Sequence, residues 1–146
     1  MIHRLLVVCT GNICRSPVAE AALRQFVPDA QVSSAGLHAL VGRDIDPDSA
    51  EAARMQGIEI RPHAARQFTE ALGREADMII VMEQHHRNEI IARWPHLSGK
   101  TFLLGHFEER KEIPDPYRRG KAMHVHMAAL VLESVPHWAE QLRKLG

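Results

Sequence analysis

Near the start of this chain, the apolar run Leu5-Leu6-Val7-Val8 passes through one short loop directly into a helical pattern. A strand apolar at every position must be covered on both faces, which is the situation inside a parallel sheet flanked by helices. From Pro17 to Phe26 the apolar residues Val18, Ala19, Ala22, Leu23 and Phe26 fall at helical spacing. The alternation then repeats. Gln31 to Ala35 reads as a second strand ended by Gly36. Pro47 to Met55 reads as a helix that Gly57 stops. Met78 to Met82 is a third strand, Gln84 to Trp94 a helix ended by Pro95, and Thr101 to Leu104 a fourth strand. From Ala122 onward Met123, Met127, Leu130, Val131, Ser134, Trp138 and Leu142 share one helical face. Pro136 lies inside that pattern and is expected to kink or split the helix. The expected architecture is α/β, with three layers: a four-stranded parallel sheet flanked by helices, joined by right-handed crossovers. The 146 residues suit a single domain, 1–146.

Composition excludes several function classes. Lys plus Arg is 18 and Asp plus Glu is 18, so the net charge is zero and a nucleic-acid partner is disfavoured. No apolar run approaches the ~20 residues of a membrane span, so no membrane insertion is expected. The N-terminal apolar run is too short for the core of a secretion signal, which makes a cytoplasmic location the expectation. Two cysteines are too few for a disulfide framework.

Ligands of parallel sheets bind beyond the C-terminal strand ends, so the loop after the first strand is the place to look for chemistry. It reads Cys9-Thr10-Gly11-Asn12-Ile13-Cys14-Arg15-Ser16-Pro17. Ser16 suits the N-cap of the following helix and Pro17 its first helical position. Gly11 and Asn12 tolerate left-handed backbone angles. Such a loop can gather N–H groups around an anion, and the helix start adds partial positive charge. Thr10, Gly11, Asn12, Ile13, Cys14 and Ser16 would form this phosphate cradle. Cys9 at the strand end would point into it, and a helix start and a nearby cation favour the nucleophilic thiolate. Arg15 supplies the cation and can hold two phosphoryl oxygens with its fork. A zinc reading of Cys9 and Cys14 fails, because no second cysteine pair exists.

These residues resemble the low-molecular-weight protein tyrosine phosphatases. The likeness runs through Val8 to Glu20, Ser34-Ala35-Gly36, His63-Ala64-Ala65-Arg66-Gln67 and Ile113-Pro114-Asp115-Pro116-Tyr117, and covers essentially the whole chain. Ser34 to Gly42 and Glu112 to Arg118 look like the bacterial branch, often paired with tyrosine autokinases of capsule and exopolysaccharide export. The resemblance implies hydrolysis of protein phosphotyrosine through a phosphocysteine intermediate, with no metal and no cofactor. It implies that Cys9 is the nucleophile, Arg15 the phosphate clamp, and Asp115 the general acid and then the base for water. Asn12, Ser16, Ser34 and His63 match a network that supports the loop. Leu40 and Tyr117 match the substrate wall, and Cys14 matches a second thiol able to form a reversible disulfide with the nucleophile. The implied partner is a phosphotyrosine protein such as a tyrosine autokinase, met by a monomer or weak oligomer. Arg118 stands where the vertebrate branch has a second tyrosine, and Ala39 and Leu40 make the rim aliphatic.

Asp115 also has a chemical reason of its own: a phenolate leaving group gains from a proton donor, and Pro114 and Pro116 stiffen its loop. Arg118, Arg119 and Lys121 beside it are equally a solvated charge run or an attraction for an acidic phosphopeptide. Ser98-Gly99-Lys100-Thr101 is no nucleotide loop, since Trp94 replaces the required glycine. The ten histidines are read as solvated. Related chemistries are weighed against the same residues. A protein-arginine phosphatase typically has Thr where this chain has Ile13. An arsenate reductase needs further cysteines, and none follows Cys14. A binding adaptor could have shed Cys9 or Asp115, yet both are present.

Overall fold

The computed structural model describes residues 2–145. The elements are β1 (Arg4–Cys9), α1 (Arg15–Phe26), β2 (Gln31–Gly36), α2 (Pro47–Met55), α3 (Glu70–Glu75), β3 (Met78–Val81), α4 (Gln84–Arg93), a 3-10 turn (Pro95–Lys100), β4 (Thr101–Leu103) and α5 (Lys121–Leu145). The four strands form one parallel sheet in the order β2-β1-β3-β4. β1 is central: Cys9 pairs with Gly36 of β2, and Val8 with Val81 of β3.

The pleat explains the apolar run. Val7, Cys9, Ile80 and Met82 face a core completed by Val18, Ala22 and Leu23 of α1, Ala50 and Ala53 of α2, and Met127, Val131 and Val135 of α5. Leu6, Val8, Ile79 and Val81 face the opposite core, closed by Phe68, Ile90 and Leu97. Both faces of β1 are thus covered, as continuous apolarity requires. The chain leaves β1 first toward β2 and later returns on its other side as β3. The crevice at this reversal, above the C-terminal end of β1, is the standard ligand position of such sheets.

Three local expectations are corrected. The helix after the first loop begins at Arg15 with Cys14 as its N-cap, and no side chain caps it. The Ser16 hydroxyl is engaged elsewhere, as described below. Pro136 does not split the helix: α5 runs unbroken from Lys121 to Leu145. Pro136 removes one backbone donor, but Val131, Val135 and Trp138 are buried on both sides of it. Trp138 Nε1 also donates to the Leu104 carbonyl at 2.7 Å. The short helix α3 went unread; six residues carry too little periodicity, though Thr69 caps it by accepting from Leu72 N–H at 3.2 Å. The segment containing Ser98-Gly99-Lys100 is a 3-10 turn followed by a strand, in agreement with its rejection as a nucleotide loop. Among the described residues, no helix is long and apolar enough to cross a membrane.

Candidate active site

The loop after β1 is held with its carbonyls outward. Cys9 C=O accepts from Leu37 N–H at 3.0 Å, Thr10 C=O from His38 N–H at 2.9 Å, and Gly11 C=O from Leu40 N–H at 3.0 Å. Asn12 C=O accepts from His63 Nε2 at 2.6 Å, and Ile13 C=O from Asp46 N–H at 2.8 Å. Asn12 has a left-handed φ of 60°. Gly36 makes the close pairing possible, since a Cβ there would stand 2.4 Å from the Thr10 carbonyl oxygen. With the carbonyls spoken for, the N–H groups of Gly11 through Ser16 have no acceptor among the described residues. They remain free to donate to an anion beside the uncapped start of α1.

A chain of hydrogen bonds fixes the loop from the β2 side. Asn12 is fully buried. Its Nδ2 donates to Ser16 Oγ at 2.8 Å and to Ser34 Oγ at 3.0 Å, while its Oδ1 accepts from Arg66 N–H at 2.9 Å. Ser34 passes its own proton to Glu20 at 2.6 Å. Because Ser16 Oγ accepts from Asn12, its hydroxyl proton is available to Cys9 Sγ, 2.9 Å away. This is why Ser16 does not cap the helix.

The opposite wall holds the Arg15 side chain, which is only 2 % exposed. Its Nη1 forms an ion pair with Glu83 and donates to the Ile113 carbonyl at 2.9 Å. Its Nη2 lies 3.4 Å from Thr10 Oγ1 and 3.7 Å from Asp115 Oδ2. Ile113 N–H bonds to the Met82 carbonyl at the end of β3, at 3.0 Å, which brings Asp115 over the crevice. Asp115 accepts from Tyr117 N–H at 3.1 Å, a local turn that orients both side chains.

These elements enclose a cavity of about 140 Å³. Cys9, Thr10, Gly11, Ile13, Cys14 and Arg15 line it, with Leu40, Asp115 and Tyr117 from other segments. Asn12, Ser16, Ser34 and His63 lie behind the loop. The geometry also brings in residues that sequence reasoning missed. His38 lines the cavity, Glu20 and Arg66 extend the supporting network, and Glu83 and His86 stand on the Arg15 side. Glu83 stands two residues beyond β3, at the functional edge of the sheet, but nothing in the local sequence ties it to Arg15.

Two histidines expected to be solvated are buried, His86 at 1 % exposure and His124 at 2 %. Each fills a side-chain hydrogen bond instead: His86 Nε2 to Thr10 Oγ1 at 2.9 Å, and His124 Nδ1 to Ser49 Oγ at 2.7 Å. Burial, with Arg15 nearby, pushes His86 down to about 3, so its ring is neutral. Burial likewise pushes the Cys14 thiol up to about 12, against the pull of a hydrogen bond with Ser49. Glu83, His85 and His86 are close enough to share a cation, as are Asp46, Asp48 and His124. Both nitrogens of His86, however, already have protein partners.

Residues 4–145 match the family model described as low molecular weight phosphotyrosine protein phosphatase. The low molecular weight protein-tyrosine-phosphatase Wzb of Salmonella typhimurium is 42% identical over 142 residues, 97% of this chain and 95% of that protein. The low molecular weight protein-tyrosine-phosphatase Etp of Escherichia coli is 41% identical, covering 97% of this chain and 96% of that protein. The crystal structure of the tyrosine phosphatase Wzb from Escherichia coli K30 in complex with sulphate superimposes with a TM-score of 0.93. It is 40% identical and covers 97% of this chain and 99% of that one. A row of unpartnered loop N–H groups beside a buried cysteine is thus set in a chain alike from end to end to tyrosine phosphatases, and this protein belongs to the low-molecular-weight protein tyrosine phosphatase family, with that enzyme activity.

Proposed function

We propose that the chain hydrolyses protein phosphotyrosine in two in-line steps at Cys9. The Cys9 thiolate attacks phosphorus, the bond to the tyrosyl oxygen breaks, and Asp115 gives its proton to the departing phenolate. Water then attacks the phosphocysteine, Asp115 takes a proton from it, and the sulfur leaves as thiolate with inorganic phosphate as product. The Arg15 fork and the N–H groups of Gly11 through Ser16 stabilise the equatorial oxygens throughout. The Ser16 hydroxyl, its Oγ 2.9 Å from the sulfur, assists its departure. Thr10, Ile13 and Cys14 complete the cradle, and Asn12, Ser34 and His63 keep it in shape.

The observation that carries this reading is the row of unpartnered loop N–H groups beside a buried Cys9, with Asp115 3.7 Å from the Arg15 fork. The sulphate in the Escherichia coli Wzb structure, a tetrahedral oxyanion like phosphate, supports it. Cys9 is 2 % exposed and Leu40 and Tyr117 stand half-buried around the cavity, which favours a phosphate on a long aryl arm over phosphoserine. The likeness to Wzb and Etp, with the branch-like stretches Ser34–Gly42 and Glu112–Arg118, supports a tyrosine autokinase or its targets as the substrate. The setting would be exopolysaccharide or capsule production, in the cytoplasm.

Cys9→Ser is expected to abolish turnover of p-nitrophenyl phosphate, and acid-quenched wild-type enzyme should carry phosphorus on Cys9. Retained turnover in the variant, or label on another side chain, defeats the nucleophile assignment. Parallel assays on phosphotyrosine, phosphoserine and phosphoarginine peptides should favour the first. Equal phosphoarginine activity would overturn the preference for phosphotyrosine that Ile13, standing where an arginine phosphatase typically has Thr, supports.

A further inference from the structure

His86 is buried, belongs to the first turn of α4, and has no part in the chemistry above. Its two ring nitrogens face different elements. Nδ1 accepts the Glu83 N–H at 3.1 Å, so the hydrogen of the neutral ring sits on Nε2. Nε2 therefore donates to Thr10 Oγ1 at 2.9 Å, across the crevice from α4 to the phosphate loop. The same Thr10 oxygen is 3.4 Å from Arg15 Nη2, and the same Glu83 carries the carboxylate paired with Arg15 Nη1. Both arms of the guanidinium fork are thus referred back to one imidazole.

We propose that His86 is a positioning residue of the phosphate clamp, setting the fork of Arg15 through the Thr10 hydroxyl on one side and Glu83 on the other. The assignment deepens the proposed function and rests on its reading of Arg15. A histidine serving only to start α4 would need Nδ1 alone and could leave its other nitrogen in water. Here the second nitrogen is buried and spent on a residue of the cradle. The charged and titratable groups around the ring are Arg15 from α1, His38 from the segment after β2, and Glu83 and His85 beside it at the start of α4. Burial above all, and then Arg15, His85 and His38, oppose protonation, which keeps Nδ1 an acceptor and preserves the tautomer.

The test separates the two nitrogens. His86→Asn can keep the short-range acceptor for Glu83 N–H but loses the reach to Thr10. His86→Gln places an amide N–H near the position of Nε2. Thr10→Val removes only the hydroxyl. The readouts are kcat and KM for p-nitrophenyl phosphate, the inhibition constant of inorganic phosphate, and the melting temperature. H86N and T10V should each lower kcat/KM and weaken phosphate inhibition by about tenfold, the usual effect of one hydrogen bond. Their double variant should be no worse than either single one, because both break the same link. H86Q should recover most of the loss. If T10V stays within twofold of wild type, or H86N changes only the melting temperature, or the two losses multiply in the double variant, the assignment is overturned. T10V decides the matter even if H86N does not fold. Wild-type enzyme that fails to turn over p-nitrophenyl phosphate would instead bring down the proposed function itself.

Discussion

The phosphate loop is held differently from its two sides. On the β2 side Asn12, Ser16, Ser34 and His63 make side-chain hydrogen bonds, mostly onto the loop itself, and Asn12 is wholly buried. On the β3 side Glu83, Ile113 and Thr10 hold one charged side chain, with Asp115 half-exposed beside it. The first wall fixes where the backbone donors point. The second fixes where the guanidinium points and leaves Asp115 half-exposed beside it. Damage to the first wall should therefore lower stability and activity together, whereas damage to the second should lower activity alone.

The sharpest division comes from Arg15→Lys. It keeps the charge but loses the fork, and kcat/KM should fall by about 10³-fold with little change in melting temperature. Loss below tenfold would mean that charge alone suffices on this wall. Asp115→Asn should follow, with kcat down by about 10²-fold on phenyl phosphate and less on p-nitrophenyl phosphate, whose leaving group needs the proton less. An equal loss on both esters would remove Asp115 as the acid. Asn12→Ala belongs to the other wall. Orphaning its buried partners should cost about 2 kcal/mol of unfolding free energy and lower kcat as well, read by urea titration beside turnover. Unchanged stability would erase the contrast between the walls.

The last effect is a pH slope. His86 stays neutral in the folded protein down to about pH 3, whereas the unfolded chain takes up its proton near 6.5. Unfolding then binds a proton, so stability is intact above 6.5 and falls as pH drops through the window from 6.5 toward 3. The contribution is at most about 1.4 kcal/mol per pH unit. The His86→Gln protein should lose less stability than wild type between pH 7 and pH 5. Identical losses would mean that His86 does not titrate as its burial requires.

The two walls also differed in how far they could be read in advance. The β2 side was legible because its central residues, Asn12 and Ser16, lie in one contiguous string, and Ser34 and His63 came with the resemblance. The sheet was legible because Leu5 to Val8 and Met78 to Val81 are apolar on both faces. Glu83 and His86 were not, because their meaning depends on β3 lying beside β1, and strand order leaves no local mark. His86 and His124 show the same limit: an imidazole in water and one buried against Thr10 or Ser49 have the same letter. The Ser16 error had a different cause. A hydroxyl at a helix start usually caps it, but here Asn12 and Cys9 compete for that oxygen, and both approach through tertiary structure. Pro136 failed as a breaker because burial of Val135 and Trp138 outweighs one missing donor.

The uncapped beginning of α1 carries one more consequence. Donors that no described part of the folded chain satisfies stabilise the fold when an anion binds them, and on the proposed reading that anion is also what the reaction releases. Phosphate should raise the unfolding temperature at the same concentrations at which it slows turnover. The molecule is thus sturdiest when idle, and each catalytic cycle must give up part of that sturdiness to let the next substrate in.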